Sequence, residues 1–380
     1  MCSTWQRAAV LIVVCLGAGS AVILAATPGP VELAKFTGVA SCQSSSCHGG
    51  GAGWDQCNTW ATVDFHVRAF AILLTPRSRE ITEGLHTGSA PSNDRCTVCH
   101  SPFAELPPER LLPAAHGDEG VSCESCHGPA SGWLRSHTRK DYSYAQRVAS
   151  GMNDLRSAYG RANTCVACHE YLSPDIVKAG HPELIFELDS QTVSEPPHWR
   201  ETDSWIGLHS WLAGQAVAYR EETWHVLENA PGSAARWQAL GWVLELATSG
   251  LKGLPEFSVP RASVTPGELA GLETGSDRLA KSAADFVWTT EAAQDLLQRL
   301  ASKGPGIREV PGADGEVRRA EVLVQAMDRL VVELNHHGVV IPGSARKLDV
   351  LFADLRIPDN FDLNKFCKDL GDFSECVGKI

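Results

Sequence analysis

Two patterns of apolar and polar residues divide this chain near residue 200. After that point, apolar residues recur at helical spacing over long segments, several of which have Ala-rich and Leu-rich faces. The predicted helices span residues 203–229, 233–250, 276–303, 315–336 and 343–355. Residues 252–275, rich in Pro, Gly and Ser, are typical of a loop between helical pairs. The pattern predicts a helical C-terminal domain over residues 201–380.

The part before residue 200 is irregular. One helix is predicted over residues 58–74, where Trp60, Val63, Val67, Phe70 and Leu74 share a side. Gly and Pro are frequent elsewhere and favour loops. We therefore expect a mainly α protein whose residues 31–200 form a loop-rich domain.

The chain begins with a segment typical of export. Arg7 precedes an apolar run over residues 8–26, which ends at Thr27-Pro-Gly-Pro30. This is the composition of a Sec-type leader, cleaved near Ala26 or retained as an anchor. Residues 1–30 are therefore predicted to be a signal peptide or an N-terminal membrane anchor, and the protein to be periplasmic or exported.

Three short segments repeat the pattern Cys-x-x-Cys-His. Their cysteines are Cys96 and Cys99, Cys123 and Cys126, and Cys165 and Cys168, followed by His100, His127 and His169. Two thiols followed by an imidazole are the attachment signature of haem c, in which the histidine binds the iron. A zinc site also uses cysteine pairs but does not need a histidine after each one. Three repeats predict covalent haem.

A fourth segment departs from this spacing. Cys42 and Cys47 are separated by four residues, and His48 follows directly. The two extra residues can loop out while both thiols still reach the porphyrin. A structural disulfide beside an incidental histidine is the alternative. We predict a total of four haem c groups.

Three further histidines are candidates for the second axial position on the iron atoms. His66 lies on the predicted helix, His137 follows the third motif, and His181 lies between Gly and Pro after the fourth. A surface or core histidine is the alternative for each. His86 and His116 lie in loops and are weaker candidates.

Other potential ligands carry less weight. Met152 is the one methionine in the motif region, so the sequence favours two histidines on most irons. His198, His209 and His225 are more typical of surface residues than of ligands.

The net charge limits the kind of partner that the protein can bind. Five cysteines lie outside the four motifs. The chain has 380 residues and a formal net charge of -12. That charge argues against nucleic acid and suits a basic redox partner. Cys367 and Cys376 are predicted to form a small disulfide loop in an oxidising compartment, whereas Cys57 has no assignment.

Two stretches carry a family resemblance. Gly120-Val-Ser-Cys-Glu-Ser-Cys-His-Gly-Pro129 and Asp64-Phe-His-Val-Arg-Ala69 closely resemble the multihaem cytochrome c-554 family. The resemblance covers about residues 39–200. It implies four covalent haems, most of whose irons have two histidine ligands. These haems would be packed closely on a largely helical, loop-rich scaffold, and the protein would carry electrons.

The resemblance also implies axial pairs. His137 would lie opposite His48, and His66 opposite His127. His169 would take a downstream histidine, for which His181 is the candidate. In the family the second haem can lack a sixth ligand; here that haem is on His100, with His86 or His116 as possible occupants.

The sequence thus predicts a periplasmic electron carrier with four covalently bound haems, more readily than an enzyme. Its partners would be other redox proteins or a membrane electron-transfer complex, and membrane association through the N-terminus is possible. The alternative is a haem enzyme that reduces or oxidises a small nitrogen species at a five-coordinate iron.

Overall fold

α-Helices form nearly all the regular structure. The computed structural model describes residues 33–228, 233–259, 264–309, 313–356 and 360–378. Within these ranges, strand pairing is confined to two isolated bridges, Phe36 with Leu111 and Lys252 with Leu254. The mainly α prediction is confirmed.

Seventeen α-helices follow one another in the described residues. They are α1 (Gln56–Thr62), α2 (Ala69–Leu73), α3 (Pro76–Gly84), α4 (Asp94–His100), α5 (Cys123–His127), α6 (Tyr144–Ala149), α7 (Ala158–His169), α8 (Pro174–Lys178), α9 (Leu188–Ser194), α10 (Ile206–Leu227), α11 (Ser233–Thr248), α12 (Pro266–Ala284), α13 (Thr290–Ala301), α14 (Gly304–Ile307), α15 (Ala313–His336), α16 (Ser344–Leu355) and α17 (Leu363–Val377). Short 3-10 helices lie among the first seven, at Val39–Ser41, His66–Arg68, Ala90–Ser92, Pro102–Glu105, Pro108–Arg110, Gly117–Glu119, Ala130–Gly132 and Ser136–Thr138. Apart from α7, the first nine α-helices have 9 residues or fewer, and the longest helices begin with α10.

The helix predicted over residues 58–74 is broken. α1 ends at Thr62, a 3-10 turn covers His66–Arg68, and α2 begins at Ala69. The buried side chain of Asp64 accepts a hydrogen bond from the backbone N–H of His66 at 2.8 Å. Such a local bond offers the backbone an alternative to the helix, so the chain turns at this point.

The segment predicted as one helix over residues 276–303 is two helices. α12 ends at Ala284, and α13 begins after Thr289, whose side chain accepts from the N–H of Ala292. α12 also begins earlier than expected, inside the predicted loop. Thr265 and Glu268 form a reciprocal cap there, with Pro266 in the first turn.

The predicted disulfide between Cys367 and Cys376 is wrong. Both cysteines lie on α17, and at about 1.5 Å of rise per residue they are roughly 13 Å apart along its axis. A disulfide needs Cα atoms within about 7 Å, and both thiols are free. The sulfur of Cys376 instead contacts the carbonyl of Pro342 at 2.8 Å.

The apolar core is centred on α10. Trp211 and Tyr219 on this helix are buried, and α7, α9, α11, α12 and α15 pack around it. The same core includes Ala158 and Ala162 of α7, the helix that ends at the fourth motif. Residues 34–380 form one compact unit, and the boundary near residue 200 stays a prediction.

The location expected from the sequence requires correction. Among the described residues, no helix combines the length and the apolar character that a membrane span requires. Residues 1–30, where the leader or anchor was expected, lie outside the described residues. An N-terminal membrane anchor is therefore not supported, which corrects the location predicted from the sequence.

Candidate haem-binding site

Three motifs lie at helix ends. α4, α5 and α7 each end at the motif histidine, at His100, His127 and His169. Residues three apart lie on one side of a helix, so both thiols of a motif point the same way and the imidazole follows beside them. The helix thus presents all three ligand groups together.

The first motif is built as a turn. The N–H of His48 donates to the carbonyl of Cys42 at 3.1 Å, which closes the loop that contains the two extra residues. Cys42 and Cys47 are both free thiols. The disulfide alternative for this motif therefore finds no support.

Each motif histidine faces a second imidazole. The ring centroids are 6.1 Å apart for His48 and His137, 6.1 Å for His66 and His169, 6.3 Å for His100 and His181, and 6.3 Å for His127 and His198. All eight rings are neither fully buried nor fully exposed. The four pairs draw on widely separated parts of the chain, yet they share one spacing.

That spacing suits a metal between two imidazoles. A metal–nitrogen bond of about 2 Å, with the ring nitrogen roughly 1 Å from its own centroid, puts two rings on one metal about 6 Å apart. The ring planes are nearly parallel in the first pair, at 13°, and steeply inclined in the others, at 87°, 70° and 71°. The residues present therefore fit four irons, each with two histidine ligands.

The outer ring nitrogens support this interpretation. A histidine that binds metal usually donates its other N–H to a carbonyl or carboxylate oxygen. The Nδ1 atoms have such acceptors in five rings: His48 with Gln56 Oε1 at 2.9 Å, His66 with Asp64 Oδ1 at 3.0 Å, His100 with the Ala69 carbonyl at 3.1 Å, His137 with the Trp133 carbonyl at 3.3 Å and His181 with the Pro182 carbonyl at 2.8 Å. These bonds leave Nε2 for a metal.

Burial lowers the pKa of four of these imidazoles, His100, His127, His137 and His169, and so favours the neutral form that coordination requires. Burial, followed by the charge of His198, lowers the pKa of His127 to about 4. Burial is also the main reason why the pKa values of His100 and His169 are low. His66 differs, since its hydrogen bond with Asp64 raises its pKa despite burial.

Two of the histidine pairs that the resemblance implies can be compared with the pairs in the structure. His137 faces His48, which is the pair that the resemblance implies. His66 faces His169 instead of His127. Packing of α7 against α10 fixes His169 at the helix end, and the 3-10 turn that carries His66 lies beside it.

His181 also has a different partner from the expected one. It faces His100, whereas the sequence suggested His169. Arg95 of α4 donates to Asp175 of α8 at 2.8 Å, which ties the segment before His181 to the helix that ends at His100. This contact joins the two distant segments, and His181 faces His100 in the same arrangement.

The sequence analysis missed His198. Its ring faces His127, and its buried Nδ1 has no hydrogen-bond partner among the described residues. The two prolines before it are the one local signal, because they stiffen the approach of the chain. His86 and His116 are exposed loop residues whose rings are not paired with His100.

Comparison with known proteins supports the same chemistry. Residues 35–128 match the family described as cytochrome c554 and c-prime. Over these residues the chain is similar to that family. The match spans the first three motifs and confirms the resemblance there, and it indicates a c-type cytochrome that binds haem c and takes part in electron transfer. No curated protein and no solved structure matches the chain.

The four cysteine motifs are neighbours in a definite order. The thiols of Cys42 and Cys123 lie close enough for each to change the pKa of the other, which makes the first and third motifs neighbours. Cys99 and Cys168 join the second and fourth in the same way. Cys126 of the third site and Cys165 of the fourth interact electrostatically. The order along the molecule is first, third, fourth, second.

A buried carboxylate connects the segment before the first motif with the helix of the third motif through hydrogen bonds. Glu124, between the two cysteines of the third motif, is 2% exposed. Its oxygens accept from the N–H groups of Thr37, Gly38 and Ala130 at 2.6 to 2.9 Å, and from the Thr37 hydroxyl at 3.2 Å. The segment that leads into the first motif is thereby held against α5.

Proposed function

We propose that the cytochrome transfers single electrons between redox proteins through four haem c groups. The observation that carries the proposal is the common spacing of the four imidazole pairs. Cys42, Cys47, Cys96, Cys99, Cys123, Cys126, Cys165 and Cys168 would hold the porphyrins covalently. His48, His100, His127, His169, His66, His137 and His181, together with His198, would bind the irons.

The chemistry follows from the ligands. Haem c between two imidazoles supplies a one-electron couple at low potential. The protein's part is to fix both imidazoles, keep them neutral and bring the sites together. The closeness of neighbouring motifs favours rapid passage of electrons along the order first, third, fourth, second.

The enzyme alternative depends on an open position at the iron on His100. His181 lies opposite that imidazole at 6.3 Å, which argues for a closed site. A small nitrogen species would have to displace this ligand before binding. The geometry therefore favours an electron carrier.

The surface charge bears on the partner. A net charge of -12 favours encounter with a redox protein that presents a basic surface. Exposed charges are screened at high salt. Electron transfer to such a partner should therefore slow as ionic strength rises.

The test is a haem count combined with electron paramagnetic resonance on protein matured by a c-type assembly system. We expect four haems, all low-spin. The near-parallel pair should give a rhombic signal, because parallel imidazoles split the two iron orbitals they overlap. The three inclined pairs should give strongly anisotropic signals, since crossed imidazoles leave those orbitals nearly equal in energy.

Each departure has a definite meaning. One high-spin iron in the unmodified protein would favour the enzyme. A count of three haems would show that the first motif binds none, and the absence of haem would refute the proposal. His181→Ala should convert one iron in four to high-spin. His86→Ala, at an exposed histidine, is the matched control and should leave all four signals unchanged.

A further inference from the structure

One of the eight imidazoles has a charged hydrogen-bond partner. Among the five Nδ1 hydrogen bonds that the structure describes, four end on neutral oxygens of an amide or a backbone carbonyl. The fifth joins His66 to the carboxylate of Asp64 at 3.0 Å. Asp64 is 3% exposed, so solvent screens its charge little.

The local backbone fixes this contact. The same Asp64 oxygen also accepts from the backbone N–H of His66 at 2.8 Å. Both bonds form within the turn between α1 and α2, so the carboxylate and the ring cannot move independently. A second acidic group is near: ligand atoms of Asp64, His66 and Glu195 all lie within 4.8 Å of one another.

A carboxylate in this position changes the ligand electronically. When Nδ1–H donates to a carboxylate, the imidazole becomes a stronger base at its other nitrogen. A more basic ligand, with negative charge close by, stabilises ferric iron relative to ferrous iron. Hydrogen bonding around the ligand is one of the means by which a protein sets a haem potential.

We propose that Asp64 is a positioning residue that lowers the reduction potential of the haem bound by His66 and His169, making it the most reducing of the four. This inference rests on the proposed function, because it requires a haem at that pair. The fourth site lies inside the order first, third, fourth, second. The lowest potential therefore falls in the interior of the row, and the sites at its ends have higher potentials.

The test is a spectroscopic redox titration of Asp64→Asn in the fully matured protein. Asparagine keeps an acceptor oxygen for both N–H groups but removes the charge. We expect one of four midpoints, the lowest, to rise while the other three keep their values. The strongly anisotropic resonance of that haem should also change. Four unchanged midpoints in a protein with four low-spin haems would overturn the proposal.

Two variants separate the hydrogen bond from nearby charge alone. Glu195→Gln removes the neighbouring charge and leaves the bond between Asp64 and His66, so it should shift the same midpoint less. An equal shift would overturn the hydrogen-bond mechanism. Gln56→Glu places a carboxylate against Nδ1 of His48 and should lower a different midpoint.

The remaining outcomes distinguish failure of the Asp64 proposal from failure of the proposed electron-transfer function. Fewer than four haems in the unmodified protein, or a high-spin iron at this pair, would count against the proposed function itself. A divalent cation on Asp64, His66 and Glu195 is the competing explanation for the cluster. Midpoints that shift on treatment with EDTA would support the cation and overturn the proposal, whereas unchanged midpoints support a direct bond to His66.

Discussion

Replacement of Glu124 by glutamine should loosen the first site from the third. Glu124 Oε2 accepts from Gly38 and from both donors of Thr37, and Oε1 accepts from Ala130 and Thr37. An amide NH2 in place of either oxygen points a donor at other donors. Even in its better orientation, Gln leaves at least one buried N–H without an acceptor.

The expected cost can be worked from these contacts. A buried donor left without a partner costs about 1–3 kcal/mol, and hydrogen bonds to a charged group contribute about 1.5–3 kcal/mol each. Loss of one bond and weakening of the others should reduce the free energy of unfolding by about 3 kcal/mol. Glu124→Ala, which removes every acceptor, should cost more.

The assay is urea unfolding of protein matched for haem content, followed by circular dichroism at a helical wavelength. Glu256→Gln is the control, because that glutamate is exposed, and it should change the free energy by less than about 0.5 kcal/mol. Hydrogen exchange at Thr37, Gly38 and Ala130 gives a local readout. If Glu124→Gln unfolds like the control, with no faster exchange at these amides, the reasoning is refuted.

Three more predictions concern ligands and charge. His198→Ala should turn one low-spin iron in four high-spin and remove a strongly anisotropic signal; an unchanged spectrum would show that His198 is not a ligand. Cys42→Ala combined with Cys47→Ala should lower the mass by one haem and the haemochrome count from four to three, and four remaining haems would contradict the assignment of the first motif. Burial, together with the charge of Glu170, raises the pKa of Glu222 to about 8, so the folded state favours the protonated acid and loses stability as pH rises from the unfolded value toward 8. Glu222→Gln should therefore raise the melting temperature at pH 9 more than at pH 5. An equal change at the two pH values would contradict the raised pKa of Glu222.

The parts of the site that the sequence predicts are those encoded locally. A thiol pair followed by an imidazole is a contiguous pattern, so the four motif histidines could be named as candidate ligands without a structure. The pairing partners could not be deduced in the same way. His181 faces His100 across two distant segments that an ion pair between Arg95 and Asp175 also joins, and no periodicity reports such contacts.

The same distinction applies to the fold. Long helices such as α15 and α16 were predicted closely, because their apolar periodicity is uninterrupted. The break at Asp64 was missed, because it depends on one side chain bonding the backbone two residues later. His198 was missed because a histidine after two prolines belongs to no recognisable motif.

The four imidazole pairs interleave along the chain. The spans from 48 to 137, 66 to 169, 100 to 181 and 127 to 198 overlap, so residues 127–137 lie inside all of them. A peptide-bond cut anywhere between residues 48 and 198 separates at least one histidine from the ring it faces. The segment therefore cannot be divided into smaller, self-sufficient cytochromes, and gene fragments that end within it would encode unpaired ligands. With the proposed haems bound, a protease nick in the mature protein would leave two pieces that axial bonds to iron still join.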